Sequence, residues 1–416
     1  MFFSKTSITV HGFSDSEIIT ISAKNIHDLA SEYAQKTKKV IHQSLNERLK
    51  KDKGNGKHLA AALADLEVIK NIAKKGNLVI NSQNYAQRYI DALEGFSKGS
   101  GLCLAESAFL QKEIDAGCQT LISKNTKGEI AFLHTEEDGD NDKLAQKSKY
   151  GHRLVKANLS GRKSTFFSYP GLCLWGPAFG TLENDNFVQF VDELFIKEKL
   201  YGPLWSNFIV FMFFDCGNLE DIKMLIKKLK VLCVKYPFQN GYSVHMLDSK
   251  KRNLLSVEFA GSKIVKIDTD YKKFSQANYP KAKDFQKMSE YDEQTYIEMT
   301  RREKRLEKIS NLGMWRIDGE KQAISTGLET LAYPYGDLRR YRRKDKHWNI
   351  YHTGLPSLWT AAHFVGFLGK AHTSLYIGKL TPKPIVGMEY SNQIDNNYMY
   401  QEKKIWEMTK NKFKKK

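Results

Sequence analysis

The chain has 416 residues, enough to bury a large core, and its 41% hydrophobic and 12% aromatic content is that of an ordinary globular protein. Its five cysteines (Cys103, Cys118, Cys173, Cys216 and Cys233) are odd in number and far apart, with no CxxC or Cys/His cluster. That spacing argues against a disulfide framework and against a metal site, and for reduced thiols in an intracellular setting. The net charge of +18 gathers largely in Arg301–Arg305, Arg339–Lys346 and Lys410–Lys416. It reads first as a solvated basic surface; an anionic ligand such as coenzyme A, or an acidic partner, is the other reading, and nucleic acid is not an expected partner.

The first 117 residues read as mostly helical. Asn25 is placed as an N-cap with Asp28 three residues on, and Leu29, Tyr33, Val40, Ile41, Leu45 and Leu49 follow at near-helical spacing. A polar turn around Gly54 and Gly56 separates this helix from a second over 59–75, which carries Leu63, Leu66, Ile69, Ile72 and Ala73 on one side and ends at Gly76. A third helix is predicted over 85–98, stopping at Gly99-Ser100-Gly101, and a short fourth over 105–113.

Beyond Cys118 the pattern changes. Residues 119–123 and 129–134 around the Asn125–Gly128 turn read as strand, turn, strand. Further strands are predicted over 165–169, 172–175, 187–195, 243–247, 253–259 and 263–267, with a helical block between the 187–195 and 243–247 strands that includes 219–234. A charged helix is expected over 292–312 and at least one strand pair within 361–380. The seven-residue apolar run Phe208–Phe214 is far short of the roughly 20 residues a spanning helix needs, and no secretory signal opens the chain. A soluble cytoplasmic protein of layered α+β fold, with two stacked antiparallel sheets between helices, is the expectation.

The step Gly117-Cys118-Gln119-Thr120 carries the chemistry. A cysteine that attacks the carbonyl of its own preceding residue needs a closely approached backbone, which glycine tolerates best. Such an N-to-S shift followed by hydrolysis yields chains 1–117 and 118–416, and it frees an α-amine at Cys118 whose ordinary pKa, roughly 7.7–8.0, suits a general base beside the sulfur. A papain-like reading needs a histidine partner, and none of the eleven histidines stands in a sequence context that ties it to Cys118.

The runs Tyr85–Leu102, Glu113–Thr120 and Gly128–Asp138 together resemble the acyl-CoA:6-aminopenicillanic acid acyltransferase type of N-terminal-nucleophile hydrolase. The resemblance implies a four-layer αββα sandwich with a mostly helical N-terminal segment, 1–117 as an α-chain and 118–416 as the β-chain completing a single domain. It implies an amidohydrolase acting on linear amides, or an acyltransferase, with an amide or acyl-thioester substrate, no metal and no prosthetic group; acyl-CoA is a possible co-substrate, and the two processed chains would associate. Cys118 is the implied nucleophile and Gly117-Cys118 the cleavage site.

The His134-Thr135-Glu136-Glu137-Asp138 ending of the return strand matches the family's acidic ending, which holds the new ammonium or orients the substrate amine. Glu137 is the first candidate for that role, with Glu136 and Asp138 beside it. Asn278, where the family places an asparagine followed by histidine (here Tyr279), is the implied oxyanion donor. Thr120 is the implied hydroxyl partner of the thiol or scissile carbonyl. Val257-Glu258-Phe259 matches a family strand without a catalytic role. The alternative reading is an uncleaved, inactive relative that binds an anionic partner.

Overall fold

The computed structural model describes residues 5–51, 56–112, 116–139, 152–169, 171–172, 179–194, 196, 202–267, 273–288, 358–369 and 372–379. Asn25 caps helix α1 (Ile26–Lys51), its Oδ1 accepting from the Asp28 backbone N at 2.8 Å. The helices α2 (Lys57–Lys74), α3 (Tyr85–Ser100) and α4 (Leu104–Leu110) follow as their apolar spacing predicts, α2 ending before Gly76 with φ 65°. The helical segment is preceded by two strands that the helix pattern did not anticipate, β1 (Lys5–His11) and β2 (Ile18–Ala23), both rich in β-branched residues. A small hairpin, β3 (Val79–Ile80) and β4 (Gln83–Asn84), leads into α3.

Downstream, β5 (Ala116–Lys124) and β6 (Ile130–Gly139) form the predicted hairpin. Then come β7 (Arg153–Leu159), β8 (Arg162–Ser168), β9 (Phe179–Leu182) and β10 (Phe187–Leu194). Two helices follow, α5 (Ser206–Cys216) and α6 (Leu219–Lys235). The remaining elements are β11 (Phe238–Asp248), β12 (Asn253–Gly261), β13 (Lys263–Lys266), β14 (Lys273–Gln276), the single turn α7 (Lys283–Gln286), β15 (Leu358–Leu368) and β16 (His372–Lys379).

Helix α5 lies within the helical block expected after the 187–195 strand, but it had no bounds of its own because an apolar period is invisible when every side is apolar: all eleven of its residues are buried. Strand β7 also went unforeseen, although Ser160 (φ 51°) and Gly161 (φ 90°) form a two-residue hairpin turn to β8. The expected strand at 172–175, the charged helix at 292–312 and the three basic clusters lie largely or wholly outside the described residues.

The strands make two large mixed sheets. One has the order β1-β16-β15-β6-β5-β14 and the other β13-β12-β11-β10-β9-β8-β7-β2. Strands β1 and β2 join them as parallel edge partners of β16 and β7, so the N-terminal segment contributes a strand to each sheet. The inner faces meet in an aromatic layer: Phe132 stacks on Phe190 at 5.0 Å, Phe179 on Phe364 at 4.7 Å, and Phe167 on Phe179 at 5.1 Å. Each such ring, fully buried, contributes about 1.5–3 kcal/mol. The other face of the eight-stranded sheet, with Val155, Phe166, Val244, Val257 and Phe259, packs on the helices. The chain is thus a mixed α+β fold whose described part is a helix layer on two stacked sheets. Among the described residues no helix is long and apolar enough to cross a membrane.

Gly95 and Gly99, four residues apart on α3, press against the backbone of α1. A Cβ at Gly95 would stand 2.0 Å from the His27 carbonyl oxygen, and one at Gly99 2.1 Å from that of Ser31. Alanine gains about 1 kcal/mol of helix propensity over glycine, but the clash is with backbone on both sides and cannot relax by a rotamer change. Gly95→Ala is therefore expected to lower stability by about 2 kcal/mol net, read as a lower urea midpoint with an unchanged slope.

Candidate active site

The β5–β6 hairpin sets the site by register. Asn125 Oδ1 accepts from the backbone N of Lys127 (3.0 Å) and Glu129 (2.9 Å), and Gly128 takes φ 76° to close the turn. With that turn fixed, Cys118 pairs with Glu136 and Thr120 with His134. The period of two then puts these four side chains on the inner face, toward the second sheet.

Their contacts form one chain of hydrogen bonds. Cys118 Sγ lies 3.6 Å from Glu136 Oε2, which also accepts from the Tyr169 hydroxyl at 2.6 Å. Glu136 Oε1 is 2.6 Å from His134 Nε2, and His134 Nδ1 is 2.9 Å from Thr120 Oγ1. Thr120 donates at 2.7 Å to Asp192 on β10, and His245 on β11 reaches the same oxygen at 3.0 Å. His245 Nδ1 meets the Ser256 hydroxyl at 2.8 Å. Cys118, Thr120, His134, Glu136, Asp192 and His245 are all at most 2% exposed.

Burial pushes the Glu136 carboxyl above its ordinary 4.5; the bonds from His134 and Tyr169 oppose that rise and the nearby Asp192 adds to it. Ligand atoms of Cys118, His134 and Glu136 come within 4.8 Å of one another, close enough for an ion to bridge. Both imidazole nitrogens and both Glu136 oxygens are already engaged in hydrogen bonds, so the three side chains are satisfied as a proton-handling set.

Asn278 approaches from the other side of Cys118. Strand β14 pairs with β5 through Gln276 and Thr120, after which the chain turns at Asn278 with φ 62°, a conformation asparagine tolerates better than most residues. Its Oδ1 accepts from the Cys118 backbone N at 3.2 Å and its Nδ2 donates to the Glu193 carbonyl at 2.7 Å, so the donors and acceptors around it fix the orientation of the amide. In this structure the oxygen, rather than the donor nitrogen, faces Cys118. The turn itself is held by buried Glu258, whose carboxylate accepts from Gln276 Nε2 (2.8 Å) and the backbone N of Lys281 (2.7 Å) and Ala282 (2.8 Å).

Of the residues singled out from sequence, Cys118, Thr120, Glu136 and Asn278 come together. Gly117 and Glu137 pair with each other in the ladder, and Ala116 pairs with Asp138, one and two positions beyond the Cys118–Glu136 pair. The side chains of Glu137 and Asp138 are outside the described set. Sequence reading did not connect His134, Tyr169, Asp192 or His245 to the site. His134 was legible in principle, two residues before Glu136 on the same strand face; the other three arrive from the opposite sheet. Among the remaining cysteines, Cys216 and Cys233 are buried and Cys103 is exposed, all as free thiols, while Cys173 lies outside the described residues.

Compared with protein-family models and with curated protein sequences, the chain matches none. What the fold and geometry define is a mixed α+β protein with a buried Cys118–His134–Glu136 cluster, an arrangement suited to cysteine-dependent chemistry.

The raised pKa of Glu136 has a consequence for stability. Between 4.5 and its higher folded value, the folded chain holds more protons here than the unfolded chain. The stability this carboxyl confers is complete below 4.5 and is lost as pH rises through the folded value. Glu136→Gln removes that dependence. Urea unfolding across pH is expected to show the variant gaining on wild type as pH rises, and parallel curves would contradict it.

Proposed function

We propose that the chain is a cysteine amidohydrolase or acyltransferase of N-terminal-nucleophile type, matured by cleavage between Gly117 and Cys118. The observation that carries the reading is the double hold on Cys118: its thiol on Glu136 at 3.6 Å and its backbone nitrogen on Asn278 at 3.2 Å. In the uncleaved chain that nitrogen is an amide and has no basicity. Once the Gly117–Cys118 bond is broken, the same nitrogen is an amine beside the sulfur, already held by an acceptor, with an ordinary pKa of roughly 7.7–8.0.

Attack of the Cys118 sulfur on the Gly117 carbonyl carbon makes a thioester and transfers the thiol proton to the departing nitrogen; water then hydrolyses the thioester. The mature enzyme repeats the sequence on an external amide or acyl thioester, with water or an amine taking the acyl group. Acyl-CoA fits as a co-substrate by its thioester and by the attraction of its phosphates to a chain of net charge +18.

The segment 1–117 would stay with the rest of the protein after cleavage. Strand β1 pairs with β16 over seven residues, β2 with β7 over six, and residues of α1 to α3 share one core with α5 and the eight-stranded sheet.

Intact-mass spectrometry decides the reading. Wild type is expected to give masses for 1–117 and 118–416 that co-elute in native size exclusion and separate only in denaturant, whereas Cys118→Ala gives one full-length mass. A single uncleaved mass in both proteins would overturn self-processing and leave the reading as a binding protein for an anionic partner.

A further inference from the structure

Helix α6 has two unlike faces. Leu219, Ile222, Leu225, Ile226, Leu229 and Leu232 are buried in the core it shares with the eight-stranded sheet, and they account for the helix and its placement. The opposite face is not the plain polar surface that would complete such a helix. Among the described residues four large hydrophobic side chains are exposed, and three of them stand here: Met224 at 38%, Val231 at 77% and Val234 at 72%. At 3.6 residues per turn these three lie within about a quarter-turn of one another around the helix. Single exposed apolar residues are ordinary on a protein surface, but three on one ridge are not.

Lysine surrounds the ridge. Lys223, Lys227, Lys228, Lys230 and Lys235 are all exposed on the same helix. Lys223 pairs with Glu220 at 2.9 Å, while the other four pair with no carboxylate among the described residues, Lys235 lying over the Tyr236 ring at 5.3 Å. Lys227 and Lys228 fall between Met224 and Val231, and Lys230 and Lys235 bracket the two valines. A lysine carries its charge on a four-carbon stem, so the ammonium reaches an anion while the stem lies along apolar surface. We infer that this face docks the protein on an anionic phospholipid surface. The ammonium groups meet the lipid headgroups, and Met224, Val231 and Val234 enter the boundary between headgroups and acyl chains.

Other anionic partners fit the face less well. Helix α6 offers nucleic acid no arginine to fork onto a phosphate and no aromatic ring for a base to stack on. A specific protein partner covers about 800 Å² of each surface, which one ridge does not supply. A bilayer needs only a ridge. The 17-residue helix spans about 25 Å, and a single such face without a lipid anchor gives reversible association that weakens as salt screens the lysines. The inference does not depend on the reading of Cys118, because α6 packs on the side of the eight-stranded sheet away from that site.

Co-sedimentation of the full chain with vesicles tests the inference. Phosphatidylcholine vesicles containing about a third phosphatidylserine are expected to carry the protein down in about 0.1 M salt and to release it as salt rises, whereas pure phosphatidylcholine vesicles leave it in solution. The triple variant Lys227→Gln, Lys228→Gln, Lys230→Gln is expected to bind about 100-fold more weakly, at about fivefold per lysine. The double variant Val231→Gln, Val234→Gln is expected to lose about tenfold. Both variants should keep the wild-type urea midpoint, since all five side chains are exposed. Binding that both variants retain in full would move the contact to another basic cluster and overturn the inference, as would equal binding to uncharged vesicles or binding to neither. Weakening in the lysine variant alone would mark a general polyanion contact and overturn it too, and binding of duplex DNA in place of vesicles would assign the face to nucleic acid.

Discussion

Two carboxylates buried between the sheets, Glu136 and Asp192, govern the interior of this protein. Neither is paired with a lysine or arginine in the contacts that hold it; each is held by hydroxyl and imidazole groups. An isolated buried carboxylate costs far more than a hydrogen bond returns, so such groups survive in a core only with donors around them or with a proton on board. The row from Cys118 to Ser256 answers that requirement across both sheets. It places the Cys118 thiol at one end of the same network.

The architecture makes the row possible. Aromatic packing between Phe132, Phe190, Phe179 and Phe364 holds the sheets at a fixed spacing beside His134, whose ring lies 5.3 Å from that of Phe190. Asn278 adds a polar tie by joining the β5 backbone to that of β10, and Glu258 fixes the turn that carries it. Glu258 is thus a structural acceptor one step removed from Cys118, which gives a physical reason for a carboxylate at a strand position with no direct part in the chemistry.

Legibility followed the range of the signal. Helices α1 to α3 showed in the sequence because their apolar residues recur on one side and their ends carry Asn25, Gly76 and Gly101. The β5–β6 hairpin showed because Asn125 and Gly128 mark a turn between two strand-like runs. The bounds of helix α5 did not, since a fully buried helix has no polar face to set its period. At the site, the acidic run Glu136-Glu137-Asp138 was visible, but its ordering was not. Which carboxylate stands across from Cys118 depends on the hairpin register, and a slip of one residue would turn every side chain of the strand to the other face.

The linear chain was enough to mark Cys118 with its preceding glycine and the layered α+β class, which are carried by adjacent residues or by periodic patterns that local sterics and burial enforce. The acidic ending of the return strand and Asn278 were marked only through what the family resemblance implies. Folding alone selected Glu136 as the thiol's partner, turned the Asn278 oxygen toward the Cys118 nitrogen, and recruited Tyr169, Asp192 and His245. Those choices depend on strand register and on two sheets meeting face to face. Contacts between groups 72 residues apart along the chain, as for Thr120 and Asp192, or 160 apart, as for Cys118 and Asn278, leave no periodic trace to read.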